Sequence, residues 1–262
     1  MAIFHGNAIP SASGSYDIDN SCRFNAADSA YMHFTPSGAG NRRIFTVSFW
    51  FKIVDPEGNG GQGVIMSAGT NSKITFWTNY LYVDIGDTGS ASTVETSSYG
   101  QILERDPAAW RHFVMKVDTT QGAAADRINI YLNGVDMDFT VPAALAVNEE
   151  TEFNNASAQK IGSNNSVGNY PNIYLSEYHM VDGTALDHTS FGEANDYGGW
   201  SAIKYSGSHG TNGYHLDFSN SAALGDDAAG SNDFTVSGVS THDQMLDSPT
   251  NNFAVLNNLD NY

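Results

Sequence analysis

RINIYLNGVDMDF, residues 127–139, decides how the rest of the chain is read. Ile128, Ile130 and Leu132 occupy alternate positions, Asn133-Gly134 intervenes, and Val135, Met137 and Phe139 resume the alternation. A period of two puts each apolar set on one face of a strand. Asn and Gly both tolerate positive φ, as the central pair of a tight hairpin turn must. The segment predicts a β-hairpin.

The same period recurs in both directions along the chain. Upstream, TVSFWFKIV (46–54) sets Val47, Phe49, Phe51 and Ile53 against Ser48, Trp50 and Lys52. ITFWTNYLYVDIG (74–86) places Ile74 and Phe76 before a short turn and Leu81, Val83 and Ile85 after it. HFVMKVD (112–118), IYLSEYHMV (173–181) and GYHLDF (213–218) supply further strands. Helical signals are thin: one turn before Pro107, and short turns in PAALAV and ALDHTSF. Many short strands joined by turns predict an all-β, two-sheet sandwich over residues 1–186. From 187 to 262 the strands shorten and Gly, Asn and Asp dominate, yet Phe191, Trp200, Tyr205, Tyr214, Leu216, Phe218 and Phe234 are interspersed. A flexible linker lacks such anchors, so this part is expected as an ordered extension packed on the sandwich in one compact unit.

Composition narrows the function classes. The formal charge is −18, and beyond Ser176 twelve acids face a single base, Lys204. Such a surface repels phosphates, which disfavours nucleic acid, and it attracts cations. The single cysteine, Cys22, forms no disulfide within the chain and reads as a buried thiol. The start, MAIFHGNAIP, has no cationic region followed by an apolar run, and no stretch has the length of a membrane span, so synthesis in a reducing cytoplasm without membrane insertion is expected. Asn155 and Asn164 match the glycosylation pattern without a signal for export beside them.

Several stretches resemble a known family. FTVSFWFK, WRHFVMKVD, RINIYLNG, KIGSN and YLSEYHMVDGTAL resemble, in order, the signatures of concanavalin A-like and laminin-G-like lectin domains over about residues 40–190. A closer resemblance spans nearly the whole chain. YDIDNSCRFNAADSAYMHFTPSGAGNRRIFTVSFW, HTSFGEAND, the pattern G-x-W-x-x-x-x-Y-x-G-x-x-G-x-N-G-Y-H-L-D-F at Gly198–Phe218, SNDFTV and DSPTNNFAVLN look like lectin-like modules of marine tailed-bacteriophage virion proteins. The resemblance implies a concanavalin A-like jelly-roll sandwich of two antiparallel sheets. It also implies a structural protein on the virion surface, assembled in the host cytoplasm and released by lysis. Capsid decoration or a head appendage is the leading expectation, a tail-fibre or tailspike receptor-binding module the alternative. Its partners would be other virion proteins, further copies of itself and a host cell-surface glycan. In such proteins the DSPTNNFAVLN-like segment closes the module, so the chain is expected to be the module alone.

The same sandwich also carries glycoside hydrolases, whose laminarinase-like members set acids on one strand as E-x-D-x-E or E-x-D-x-x-E. Here Glu104-Arg105-Asp106 is followed by Pro107, and Glu149, Glu150 and Glu152 sit in a polar, loop-like stretch. No enzyme is expected. The histidines show no metal-ligand spacing, so His179, His209 and His215 are assigned structural or surface roles. Two binding sites are candidates. Opposite Phe76, Leu81, Val83 and Ile85, the residues Trp77, Tyr80, Tyr82 and Asp84 form a face that could stack on a glycan, with Trp50 joining from a neighbouring strand. The aromatic-rich extension could instead cover that face. In GDDAAGSND, Asp226, Asp227 and Asp233 offer oxygen ligands to calcium, or simply make turns. No cofactor is expected to be required.

Overall fold

The structure, a computed structural model, describes residues 16–54, 62–77, 80–87, 90–95, 109–137, 145–196 and 198–251. For residues 62, 77, 80, 87 and 90–95 it describes the backbone alone. The expected hairpin is present. Strands β9 (Ile128–Leu132) and β10 (Val135–Asp136) flank Asn133-Gly134, whose φ angles are 50° and 75°. The second strand is shorter than the alternation suggested. It lies at the sheet edge, so Val135 stays 57% exposed while Met137 is buried. Phe139 lies outside the described residues.

From this hairpin an antiparallel sheet extends inward. Next to β9 come β8 (Arg111–Asp118), β3 (Ile44–Ile53), β12 (Ile173–Asp182), β1 (Ser21–Phe24) and β17 (Gln244–Met245). β15 (Tyr214–Leu216) also pairs with β12 and makes the sheet eight-stranded. Among the described residues the opposing sheet has seven strands. Their order is β16 (Thr235–Ser237), β2 (Tyr31–Phe34), β11 (Gln159–Ile161), β4 (Gln62–Ala68), β5 (Ser72–Trp77), β6 (Tyr80–Asp87) and β7 (Ser90–Glu95). A separate ribbon pairs β13 (Gly192–Ala194) with β14 (Trp200–Ala202). With 40% strand and 6% helix, the fold is all-β.

The two inner faces interlock as alternation dictates. Val47, Phe49, Phe51, Phe113, Met115, Val117, Ile128 and Ile130 from one sheet meet Met66, Ile74, Leu81, Val83 and Ile85 from the other. Cys22 is buried in the same core, and burial pushes its thiol pKa far up. The outer face of the eight-stranded sheet is also covered. Phe191, Ala202, Trp200 and Tyr205 lie over Trp50, Val114, Tyr131 and Val181. That is why β3 is buried almost from end to end, on both faces. ALDHTSF contributes a 3₁₀ turn at His188–Ser190, and PAALAV is described only from Leu145 onward.

The DSPT segment fastens the strand ends. Asp247 pairs with Lys52 and accepts a hydrogen bond from Trp110 Nε1 at 2.9 Å. Its backbone oxygen accepts from Ser21 Oγ at 2.6 Å, and Thr250 Oγ1 accepts from the Ile18 amide at 2.8 Å.

The hairpin turn also carries a packing constraint. A Cβ on Gly134 would run into the six-membered ring of Trp200, at a φ that L side chains adopt only under strain. Gly134→Ala is expected to cost about 2 kcal/mol, read as a lower denaturation midpoint with an unchanged slope.

Candidate functional site

The central strand β12 contains an irregularity that organises the outer face. Ile173 and Leu175 point into the core; the next inward residues are Tyr178 and Met180, so the phase slips by one. Pairing with β3 shifts register between Ser176 and His179, and Glu177 sits there at φ 48°. An extra residue in one strand makes a β-bulge that re-aims side chains. The bulge also lies where the neighbour of β12 changes from β1 to β15. Glu177 and His179 therefore share the outer face, and His215 on β15 stands directly opposite His179.

These groups converge. Glu177 Oε2 lies 3.0 Å from His215 Nε2 and 3.4 Å from His179 Nε2, while His179 Nδ1 lies 3.1 Å from His209 Nε2. The rings of His179 and His215 stack at 4.0 Å. Burial pushes the Glu177 carboxyl up, but hydrogen bonds from His179 and His215 outweigh it and hold the group well below the usual carboxylate range. Burial pushes His179 down to about 4 and lowers His209 as well. Glu177 is thus a buried carboxylate held by the His179 and His215 rings, and the Tyr16 phenol is raised by burial and by the same carboxylate.

Beside this cluster opens a cleft of about 450 Å³. Its walls are the stretch from Lys204 to Gly213 and the turn from Ala228 to Asn232, with His209 and His215 at its base. Ser206, Ser208, Thr211 and Ser231 bring hydroxyls to the lining, with Tyr205 as an aromatic wall. The loop is built for tight closure. Asp182 accepts hydrogen bonds from the Asn212 and Asn41 amides, and the Asp182 amide donates to His209 O. A Cβ on Gly213 would occupy the space of that same His209 oxygen. Most of the motif Gly198–Phe218 is explained here: Trp200 donates to His112, Tyr205 donates to Ser208 O at 3.0 Å, and Tyr214 and Leu216 enter the core.

The calcium candidates flank the Ala228–Asn232 turn, where their carboxylates accept local hydrogen bonds. Asp227 accepts from the amides of His215, Ala229 and Asn232 at 2.9–3.0 Å. Asp233 accepts from the Asp227 amide, and Asp226 from the Asn220 side chain. The three do not converge. Among the described residues, Glu177, His179 and His215 form the one trio of His, Cys, Asp or Glu with ligand atoms all within 4.8 Å.

The glycan-face candidates lie on the opposite sheet. Tyr82 and Asp84 are half-buried on the outward side of β6, and Asp84 pairs with Lys73 at 3.1 Å. Trp77 and Tyr80 are register partners across β5 and β6, and their side chains lie outside the described residues. Trp50 does not join them. It belongs to the other sheet, is buried, and stacks on His112 at 4.8 Å. Phe191, Trp200 and Tyr205 of the extension pack on the outer face of that same sheet. Glu104 and Asp106 lie outside the described residues; Glu150 binds Arg42 and Arg43, and Glu152 accepts from the Asn71 amide.

No family model matches the chain, and no curated protein does. Solved structures share its fold at low identity. A candidate carbohydrate-binding protein from Bacteroides ovatus is 15% identical and covers 86% of this chain with a TM-score of 0.53; this chain spans 60% of that protein's length. A heptameric SAP-like pentraxin from Limulus polyphemus is 15% identical over 65% of this chain and 79% of its own, with a TM-score of 0.45. The binding domain of Paraclostridial Mosquitocidal Protein 1 is 17% identical over 64% of this chain and 41% of its own, with a TM-score of 0.46. The architecture is the lectin-like sandwich of two antiparallel sheets.

Proposed function

We propose that this protein is a non-enzymatic glycan-binding sandwich carried on the surface of a phage particle, and that the cleft between Lys204–Gly213 and Ala228–Asn232 receives the sugar. One observation carries the binding assignment: the cleft is open, about 450 Å³, and its lining combines the hydroxyls of Ser206, Ser208, Thr211 and Ser231 with Asn232, two histidines and Tyr205. Sugars present hydroxyls for hydrogen bonding and C–H faces for stacking, which such a lining matches. No Asp or Glu is among its lining residues, whereas glycoside hydrolysis needs two carboxyl groups about 5–10 Å apart. The fold it shares with a candidate carbohydrate-binding protein is compatible with this role.

Ser231 is exposed at the rim, so Ser231→Trp fills the cleft without touching the core. This variant is expected to lose at least about tenfold in affinity for a retained polysaccharide, or about 1.4 kcal/mol, while Trp77→Ala and Tyr82→Ala keep wild-type affinity. The opposite pattern would move the site to the outer face of β5 and β6.

The virion setting rests on the resemblance of Gly198–Phe218 and DSPTNNFAVLN to phage lectin modules. Within it, head decoration through self-association and contact with capsid protein is the favoured placement. Gold-antibody labelling of intact particles is expected to decorate the head. Label confined to the tail would make this a receptor-binding module, and unlabelled particles would remove the virion assignment.

A further inference from the structure

We propose that Glu177, His179 and His215 bind a divalent transition metal of the zinc class, with His209 holding the His179 ring from behind. Zinc bonds of 2.0–2.1 Å at tetrahedral angles set neighbouring ligand atoms about 3.3 Å apart. The two separations from Glu177 Oε2, 3.0 and 3.4 Å, bracket that figure, and all three ligand atoms fit within 4.8 Å. Two imidazoles and one carboxylate are a donor set that zinc accepts.

The surroundings complete the site. Metal-bound histidines donate their other ring N–H to an outer partner, which fixes tautomer and orientation. His179 Nδ1 has such a partner in His209 Nε2 at 3.1 Å. A void of about 10 Å³, lined by Glu177 and His179 together with Tyr16, Ser48, His112 and apolar side chains, adjoins two of the three ligands and has room for about one water. His209 and His215 also line the large cleft, which gives an ion a path from solvent.

The ligands come from two parts of the chain. Glu177 and His179 lie on β12; His215 lies on β15, and His209 on the loop before it. A metal would clamp that loop and strand onto the central strand, and so stiffen one wall of the cleft. The inference does not depend on what the cleft binds.

The test uses the full chain, stripped with a chelator and titrated with zinc against a chromophoric competitor, then with cobalt(II) read by visible absorption. The expected result is one zinc per chain with a dissociation constant below about 1 µM. Bound cobalt should show the intense bands of a four-coordinate site. Glu177→Gln and His215→Gln are expected to weaken zinc at least about 100-fold and His209→Gln about tenfold. His242→Gln, at an exposed histidine elsewhere, keeps wild-type affinity. Several weak ions without a one-to-one step, or a wild-type protein whose cobalt spectrum stays that of the aqueous ion, would overturn the proposal. Both readings come from the wild-type protein, so they hold even where a variant fails to fold.

Discussion

Phe49→Ala is expected to lower folding stability by about 4 kcal/mol, enough to raise the unfolded fraction about a thousandfold. Phe49 is fully buried and lies at the junction of three strands. Its ring stacks on Phe113 of β8 at 4.8 Å and on Tyr178 of β12 at 4.9 Å with a 7° interplanar angle. Deleting it removes the transfer free energy of a phenyl group and leaves a cavity whose walls belong to separate strands, so they close in only partly. Urea denaturation should show a lower midpoint with an unchanged slope. Tyr178→Phe is the control. It keeps the stack and removes a buried hydroxyl that has no hydrogen-bond partner, so it should be neutral or slightly stabilising. A Phe49→Ala loss below about 1 kcal/mol would mean that this aromatic stack is not the centre of the core.

The second large effect is acid sensitivity that begins well above the carboxylate range. His112 is buried, stacked on Trp50, and pushed down to about 3 by burial, with His179 and His188 adding to the shift. Its hydrogen bonds fit the neutral ring. The Trp200 indole N–H donates to Nδ1 at 2.9 Å, so Nδ1 is an acceptor and Nε2–H faces Ser48 Oγ, also at 2.9 Å. A second proton on Nδ1 would meet the Trp200 N–H donor head on. The folded-state pKa lies below the unfolded value near 6.5, so the unfolded chain binds the extra proton first as pH falls. The contribution is whole above pH 6.5 and is lost progressively down to about 3. At about 1.4 kcal/mol per pKa unit, several kcal/mol are at stake from this one ring. Stability measured by denaturant from pH 7 to pH 4 should fall steadily. His112→Gln should be less stable at pH 7 yet show a shallower acid slope. An unchanged slope in that variant would assign the acid sensitivity to other groups.

Much of the fold was readable because its signals are local. Alternation in 46–54, 74–86 and 112–118 placed the inward residues correctly, and Asn133-Gly134 took up the two positive φ angles its chemistry allows. The extent of β10 was not readable, since an edge position depends on what fails to pair with it. Alternation alone makes Trp50 and Trp77 both outward aromatics, yet strand order, a non-local property, puts them on different sheets. Nothing in the sequence tells which sheet the extension covers. The histidine–glutamate cluster had a faint local trace. The inward residues of IYLSEYHMV step by two from Ile173 to Leu175 and then by three to Tyr178, which marks a bulge and puts Glu177 and His179 on one face. That His215 pairs with His179 is a contact across 36 positions, and spacing rules for metal motifs do not reach that far.

The central claim is that the cleft binds sugar and does not cut it. Affinity electrophoresis of the purified protein in gels containing algal and bacterial surface polysaccharides tests it most directly, with reducing ends assayed in parallel. The account predicts that at least one polysaccharide retards the wild-type protein, that Ser231→Trp migrates freely in the same gel, and that no reducing ends are released. Release of reducing ends, or unhindered migration of the wild-type protein through every polysaccharide, would contradict it.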